Sequence, residues 1–348
     1  MKTLIVKTSS LGDVLHTLPA LSDAMTALPG IRFDWVVEES FAEIPAWHPA
    51  VDKVIPVALR RWRRQPLPAF SRGEYGKFLH SLRAHEYAKI IDAQGLIKSA
   101  LLTRLARGER HGLDRSSARE PWAAWAYQKS YNISRQQHAI ARVRQLFAAA
   151  LGYDAPATPP DYKIRRELLS HPRALSHPYI VLLHGASWSS KQWPELYWAE
   201  LAQLANNTGL HVYMPWGNAA ERERAERIAG TARHATVLAA LNLSELAGML
   251  SNAQAIVGVD SGLAHLAAAL ATPSVTLYGA TSPEKTGTLG RGQQHIRADF
   301  ICSPCMARVC SYRGESDVTP ACYQTTPPAQ VWQALMKLLG NTPLVNNN

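Results

Sequence analysis

The sequence predicts an α/β protein of two successive domains, and three observations carry that prediction. First, the short apolar run Leu4-Ile5-Val6 leads through a polar, small-residue loop, residues 7–13, into apolar residues at Val14, Leu18, Leu21, Met25 and Leu28. Steps of four and three mark one face of a helix, so the reading is buried strand, tight loop, helix. Second, the layout returns at Tyr179-Ile180-Val181-Leu182-Leu183, with a loop over 184–191 and a helix entered at Trp193-Pro194-Glu195. Third, between the two the apolar pattern weakens and prolines 156, 159, 160, 172 and 178 punctuate the chain, which marks a linker. The predicted domains are 1–165 and 166–325, followed by a terminal helix at 326–340.

Composition agrees with this plan. A chain of 348 residues is long enough for two cores. Apolar residues at 47% and charged residues at 18% give an ordinary globular balance rather than a disordered one. The net charge of +10 points to an acidic partner: nucleic acid, an anionic membrane surface or a phosphorylated substrate. One lysine precedes the first strand pattern and no long apolar run with a cleavage site follows, so no signal peptide is expected. The most apolar long stretch, 255–277, contains Asp260, His265 and Pro273 and reads as strand, loop, helix, strand rather than a membrane span. The expectation is a cytoplasmic protein whose membrane contact is peripheral.

In the first domain, Asp13 stands at a helix entrance, where the dipole favours its charged form. It is either an available carboxylate or only an N-cap. Pro19 predicts that the regular helix starts late or bends. Residues 33–37 read as a second strand, ending in Glu38-Glu39, which by residue type cap or solvate rather than hold a ligand. Val54-Ile55-Pro56-Val57 reads as an edge strand because of its proline. Arg60-Arg61-Trp62-Arg63-Arg64 sets four guanidinium groups in five residues, and such forks match carboxylates and phosphates in two-point contacts. A solvated charge run is the usual fate of such a stretch. No helix-turn-helix, zinc-finger or aromatic RNA-binding motif accompanies it, which argues against nucleic acid. Residues 87–92 form a fourth strand, with Gly95 in the next loop and Lys98 just beyond, at the mouth of the presumed cleft. Residues 111–119 read as polar and basic, with Arg115 and Arg119 as further anion-binding candidates; His138, Arg142 and Arg144 lie on a helical pattern.

In the second domain, residues 210–214 form a strand that turns at Pro215-Trp216-Gly217-Asn218. Glu221 then opens a charged helix, where a carboxylate can accept two ribose hydroxyls or merely sit exposed beside Arg222 and Arg224. The strand 255–259 runs into Asp260-Ser261-Gly262-Leu263-Ala264-His265 at a helix start, the best phosphate site in the chain. It has neither GxGxxG nor the P-loop lysine, and an ordinary capped turn is the alternative. Asp260 would repel a phosphate, so a sugar hydroxyl is its sensible partner. Residues 274–278 make the last clear strand. Cys302, Cys305, Cys310 and Cys322 follow as C-x2-C-x4-C-x11-C. Four thiolates suit a structural zinc, but the second spacing is not a standard ribbon, and free or paired thiols are the stronger reading. Val331, Trp332, Leu335, Met336 and Leu339 define the amphipathic terminal helix, placed to pack back on the N-terminal domain, and 341–348 reads as a disordered tail.

Seven segments resemble, in the same order, the lipopolysaccharide heptosyltransferase family, glycosyltransferase family 9: IVKTSSLGDVLHTLPAL (5–21), FDWVVEE (33–39), RRWRR (60–64), IDAQGLIKSA (91–100), SAREP (117–121), YMPWGNAAE (213–221) and VGVDSGLAHLAAAL (257–270). The resemblance implies the GT-B arrangement, two Rossmann-like domains facing across a cleft. It implies inverting transfer of L-glycero-D-manno-heptose from ADP-heptose to the first Kdo of Kdo-lipid A, with no cofactor and no catalytic metal. It also implies a monomer on the cytoplasmic face of the bacterial inner membrane, bound peripherally to an anionic surface and not to nucleic acid. On this resemblance Asp13 is the general base. Lys191, Ser187 and the helix start of Ser261, Gly262, Leu263, Ala264 and His265 stabilise the diphosphate. Asp260 holds the heptose, Glu221 the ribose, and Lys7 and Thr8 the donor side of the first loop. Arg60, Arg61, Arg63, Arg64, Lys98, Arg119 and His138 are assigned to the acceptor. The alternatives are a sibling heptosyltransferase with another core acceptor, a noncatalytic nucleotide- or nucleic-acid-binding protein, and a sugar-nucleotide epimerase.

Overall fold

The structure, a computed structural model, describes residues 2–170, 175 and 177–340; Pro172 of the predicted linker and the tail 341–348 lie outside these. The chain divides into two compact units, Met1–Arg166 and Glu167–Asn348.

The first unit runs β1 (Lys2–Val6), α1 (Leu11–Leu15), α2 (Leu18–Ala27), β2 (Arg32–Glu38), α3 (Glu43–Ala46), β3 (Val51–Val57), α4 (Leu59–Arg64), α5 (Pro66–Ser71), α6 (Glu74–Leu82), β4 (Glu86–Asp92), α7 (Ile97–Leu105), β5 (Arg107–Leu113), β6 (Lys129–Tyr131) and α8 (Ala139–Leu151). Its sheet is parallel, in the order β3-β2-β1-β4-β5-β6. Leu4, Ile5 and Val6 are fully buried, because a central parallel strand is covered on both faces and reads as a continuous apolar run. β3 is the edge its proline predicts. The expected break in the first helix falls at His16 and Thr17, and Pro19 becomes the second residue of α2, where the missing N–H costs nothing. The polar and basic stretch 111–119 begins inside a strand: β5 takes in 107–113, and its polar sequence reflects a place near the outer side of the sheet. Arg144 ties α8 to α2 through Asp23, at 2.6 and 3.0 Å.

The second unit runs β7 (Tyr179–Leu183), α9 (Glu195–Asn207), β8 (His211–Met214), α10 (Ala219–Ala229), β9 (Ala235–Val237), α11 (Leu243–Ser251), β10 (Ala255–Val259), α12 (Gly262–Ala269), β11 (Ser274–Tyr278), α13 (Pro283–Thr286), β12 (Gln293–Arg297) and α14 (Pro328–Gly340). Its parallel sheet is ordered β12-β11-β10-β7-β8-β9. β11 is therefore not the last strand: β12 follows, hidden in sequence by its polar Gln293-Gln294-His295. The terminal helix α14 packs on α9 and on β10, β11 and β12 of its own unit, with Val331 and Leu335 fully buried. The indole of Trp193 donates to the Thr326 carbonyl at 3.0 Å and fixes the approach to that helix.

Counted within each unit, both sheets have the strand order 3-2-1-4-5-6, so both are Rossmann-like. The order reverses between β1 and β4 in one and between β7 and β10 in the other. Ligands of such sheets bind beyond the carboxyl ends of the strands at that reversal. The two loops singled out first in the sequence, 7–13 and 184–191, leave the sheets there.

Candidate active site

At the first reversal, the loop after β1 is bonded to the loop after β4. Lys7 Nζ donates to the Ala93 carbonyl at 2.9 Å, and Thr8 donates both its N–H and its hydroxyl to Gln94 Oε1 at 2.7 and 2.8 Å. Asp92, at the end of β4, shapes the second loop by accepting from the Gln94 and Gly95 amides at 2.8 and 3.1 Å and from the Tyr127 hydroxyl at 2.8 Å. Burial pushes the Asp92 carboxyl up. The strand order alone brings these residues together, since Thr8 and Gln94 are 86 positions apart.

Asp13 is not the N-cap of α1. Ser10 takes that place, and Asp13, three residues on, accepts from the Ser10 amide at 3.0 Å and hydroxyl at 2.7 Å. These bonds use only Oδ2. Oδ1 points to Lys7 Nζ at 4.0 Å, and the side chain keeps 42% of its surface exposed. Desolvation alone would raise the Asp13 carboxyl. The charges of Lys7 and His16 and the Ser10 hydrogen bonds outweigh it and bring it down to about 2. A solvent-reachable carboxylate, ionised at neutral pH, thus stands at the switch point.

Further cationic groups stand on neighbouring elements of the same unit. Lys98 Nζ donates to Ser9 Oγ at 3.2 Å. Partial desolvation lowers the Lys98 ammonium, and Arg60 and Arg119 add to this against Glu38 and Glu120. Arg60 covers the Phe41 ring at 5.6 Å, and its amide is capped by Glu38 Oε1 at 3.0 Å. Arg61 differs from its neighbours. It forms paired bonds to Glu39, both at 3.0 Å, and to Glu74 at 3.0 and 2.8 Å, so two carboxylates of this chain already neutralise it. Arg63 and Arg64 are exposed at the end of α4. His138 caps α8 by accepting from the Ile140 amide at 3.2 Å, and its ring centroid lies 6.0 Å from that of His16, just past α1.

At the second reversal, Lys191 Nζ lies 2.7 Å from Asp260 Oδ2, joining the loops after β7 and β10. The Thr281 hydroxyl donates to the same oxygen at 2.7 Å, and His265 Nε2 lies 3.7 Å from Oδ1. Burial would raise the Asp260 carboxyl; His265 and Lys191 hold it far below the usual carboxylate range. Lys191 and Arg308 also flank the Trp188 ring, at 4.7 and 5.7 Å, which concentrates positive charge on the loop. Ser187 is exposed beside them. Ser261 caps α12, its hydroxyl accepting from the Ala264 amide at 3.4 Å and its carbonyl from the His265 amide at 3.3 Å. The first-turn amides of Gly262 and Leu263 are then the donors that helix geometry leaves for an anion. Glu221 is not paired with Arg222 or Arg224, which bond to Glu226 and Gln192. Its Oε2 accepts from the Gly217 amide at 2.7 Å, and its carboxyl group lies where a Cβ on Gly185 would sit, 2.8 Å away.

Several site residues had no sequence signal of their own. Gln94, Thr281 and Arg308 lie in polar segments and gain meaning only from the partners the sheets bring to them. The Tyr323 hydroxyl donates to the Lys191 carbonyl at 2.7 Å, and Ser190 bonds to the carbonyls of Ala307 and Arg308 at 2.6 and 3.2 Å, so the cysteine-bearing segment holds the lysine loop. Cys302, Cys305, Cys310 and Cys322 line one pocket of about 320 Å³ and are free thiols. Among the described residues no three histidine, cysteine or acidic groups stand where they could hold a metal ion.

Residues 75–315 match the family model described as glycosyltransferase family 9 (heptosyltransferase). The chain is 49% identical to lipopolysaccharide heptosyltransferase 1 of Pseudomonas aeruginosa, over 97% of this chain and 98% of that one. The solved structure of Escherichia coli heptosyltransferase WaaC with ADP is 49% identical, covers 86% of this chain and 93% of its own, and superposes with a TM-score of 0.81. The same enzyme with ADP-2-deoxy-2-fluoro heptose gives 48% identity, the same coverage and a TM-score of 0.78. With two Rossmann-like sheets of the GT-B class and this likeness over most of its length, the chain belongs to glycosyltransferase family 9, the heptosyltransferases.

Proposed function

We propose that this protein is an inverting transferase that moves L-glycero-D-manno-heptose from ADP-heptose to a hydroxyl of the first Kdo of Kdo-lipid A. The observation that carries the reading is the Asp13 carboxylate, held ionised at the first switch point while its side chain stays open to solvent. The acceptor hydroxyl attacks the anomeric carbon, its proton passes to Asp13, and the bond to the β-phosphate oxygen breaks with its electron pair leaving on ADP. A carboxylate brought down to about 2 is a weak base. It takes the proton only once the new C–O bond has made that oxygen strongly acidic, so proton transfer runs late with bond formation. Lys191 and the α12 amides suit the charge that grows on the diphosphate. Asp260 suits a heptose hydroxyl, since a second negative charge there would repel a phosphate, and Glu221 suits the ribose. Lys98, Arg60, Arg63, Arg64 and Arg119 suit the acidic sugar and phosphates of the acceptor. The likeness to relatives named heptosyltransferase 1 favours this acceptor over a later core sugar. In this reading the enzyme works without a cofactor, as a monomer, bound peripherally at the cytoplasmic face of the inner membrane.

The test is ADP release from ADP-heptose with and without Kdo-lipid A, for the wild type and Asp13→Ala. Acceptor-dependent release that falls by roughly 10²–10⁴-fold in the variant, with ADP binding retained, is the expected result. Release that survives in Asp13→Ala removes the base assignment. Release without acceptor, or none with Kdo-lipid A, removes the proposed reaction.

A further inference from the structure

We propose that α7 and residues 121–126 form the surface on which this protein docks to an anionic lipid bilayer. The inference rests on the reading of a lipid-linked acceptor only for its purpose; the surface itself is argued from the first unit. α7 is apolar on both sides. Its inner face, with Ala100 and Leu102, is buried, yet Ile97, Leu101 and Leu105 are 41%, 50% and 38% exposed. Spaced by four, these three form one outward stripe. Beside the stripe, Trp122 and Trp125 are 66% and 50% exposed. Five large apolar side chains on one outer surface far exceed the scattered exposure that needs no explanation.

The patch is rigid and cationic. Ala100, Ala123 and Ala126 pack into a small seam that holds the 121–126 turn against α7, and Glu120 Oε2 accepts from the Ile97 amide at 2.6 Å. The tryptophans are therefore presented on fixed elements rather than on a loose loop. Arg104 covers the Trp125 ring at 4.7 Å and Arg115 covers Trp122 at 5.1 Å. Lys98 and Arg119 are exposed close by. Of the nearby acids, Glu120 caps α7 and Asp114 is bonded to Ser116, Ser117 and Asn132. Amphipathic indoles beside aliphatic side chains and cations match the boundary between lipid headgroups and acyl chains, and the cations match anionic headgroups. Among the described residues no helix is long and apolar enough to cross a membrane. The position also makes chemical sense. Lys98 is the second residue of α7 and reaches Ser9 in the Asp13 loop. A bilayer seated on the outward stripe would present the headgroup of a lipid-linked sugar next to that loop.

Flotation with vesicles of 70% phosphatidylcholine and 30% phosphatidylglycerol tests this directly, on wild type, Trp122→Ser/Trp125→Ser and Leu101→Glu. The wild type is expected to float with the vesicles, and each variant to lose at least about tenfold in partitioning. Both variants should still bind ADP and transfer heptose at the wild-type rate to a deacylated, water-soluble Kdo acceptor, while losing activity on acceptor embedded in vesicles. Wild-type protein that stays in solution, or variants that float equally well, overturns the proposal. So does a concentration-dependent dimer in sedimentation velocity that the substitutions abolish, since a second copy would then be the occupant. If soluble transfer fails in every protein while the flotation difference stands, the reaction assignment falls and the docking surface does not.

Discussion

Lys191 and Asp260 make the most demanding test of how the second switch point is built. Their side chains are 16% and 7% exposed and their charged atoms 2.7 Å apart. At an effective dielectric of 20 that separation corresponds to about 6 kcal/mol of attraction, most of it offset by the cost of taking both charges out of water. Lys191→Met removes the attraction and leaves the cost at Asp260. Breaking a buried pair this way costs about 3–5 kcal/mol. The Thr281 hydroxyl and His265 still serve the carboxylate, so about 3 kcal/mol is expected, or a fall of about 6–12 °C in the melting of a unit of this size. Lys191→Met/Asp260→Asn removes both charges, and the amide oxygen so introduced would keep an acceptor for Thr281; the double variant should lose only about 1 kcal/mol, a coupling of at least about 2 kcal/mol. The assay is calorimetric melting of the two singles and the double, with ADP titrated into each. A melting point for Lys191→Met within 2 °C of wild type, set against that roughly 6–12 °C expectation, or losses that simply add, would refute the pairing. ADP should bind more weakly to every variant that lacks Lys191.

Other expectations follow from the same geometry. Gly185→Ala should push the flexible Glu221 carboxylate aside, since the new Cβ would lie 2.8 Å from it; ADP affinity should fall about tenfold with little change in melting, checked by titration calorimetry. Arg61→Met should lower the melting temperature by leaving Glu39 and Glu74 without their shared cation, whereas Arg63→Met and Arg64→Met should chiefly raise the KM for acceptor. His48 is fully buried, bonded to Ser22 at 3.0 Å, and burial with nearby Lys163, Arg165 and Arg32 pushes it down from 6.5 to about 3. The unfolded chain therefore takes up a proton near pH 6.5 that the folded chain refuses. Stability is lost as pH falls from 6.5 towards 3, by up to about 1.4 kcal/mol per pH unit from this group. Urea midpoints at pH 7 and 5 should converge in His48→Asn relative to wild type, and an unchanged pH dependence would remove His48 as a cause.

The central strands were legible because β1, β2, β7, β10 and β11 are largely buried and carry apolar runs, as does the Ile90-Ile91 end of β4. β5, β6, β9 and β12 lie towards the flanks of the sheets, where polar residues are tolerated and the alternation blurs. The two switch-point loops, 7–13 and 184–191, were legible for a related reason: a buried strand that stops at small and polar residues before a helix leaves few other readings. What the residues could not disclose was pairing at a distance. Nothing near Arg61 announces that Glu74, 13 residues on, has taken its charge. Nothing near Lys191 points to Asp260, 69 residues away, until β7 and β10 are known to be neighbours. Asp13 stands at a helix entrance as its sequence predicts, but residue type alone does not tell which of Ser9, Ser10 and Asp13 is the cap.

The bonds that shape each switch point close within one sheet: Thr8 with Gln94 and Lys7 with Ala93 in the first unit, Lys191 with Asp260 and Tyr323 in the second. Such wiring makes each unit heritable as a block. A recombination at the boundary near Arg166 would carry one whole network and leave the other intact. Either half could then be replaced or drift alone, while the other stays under its own, separate selection.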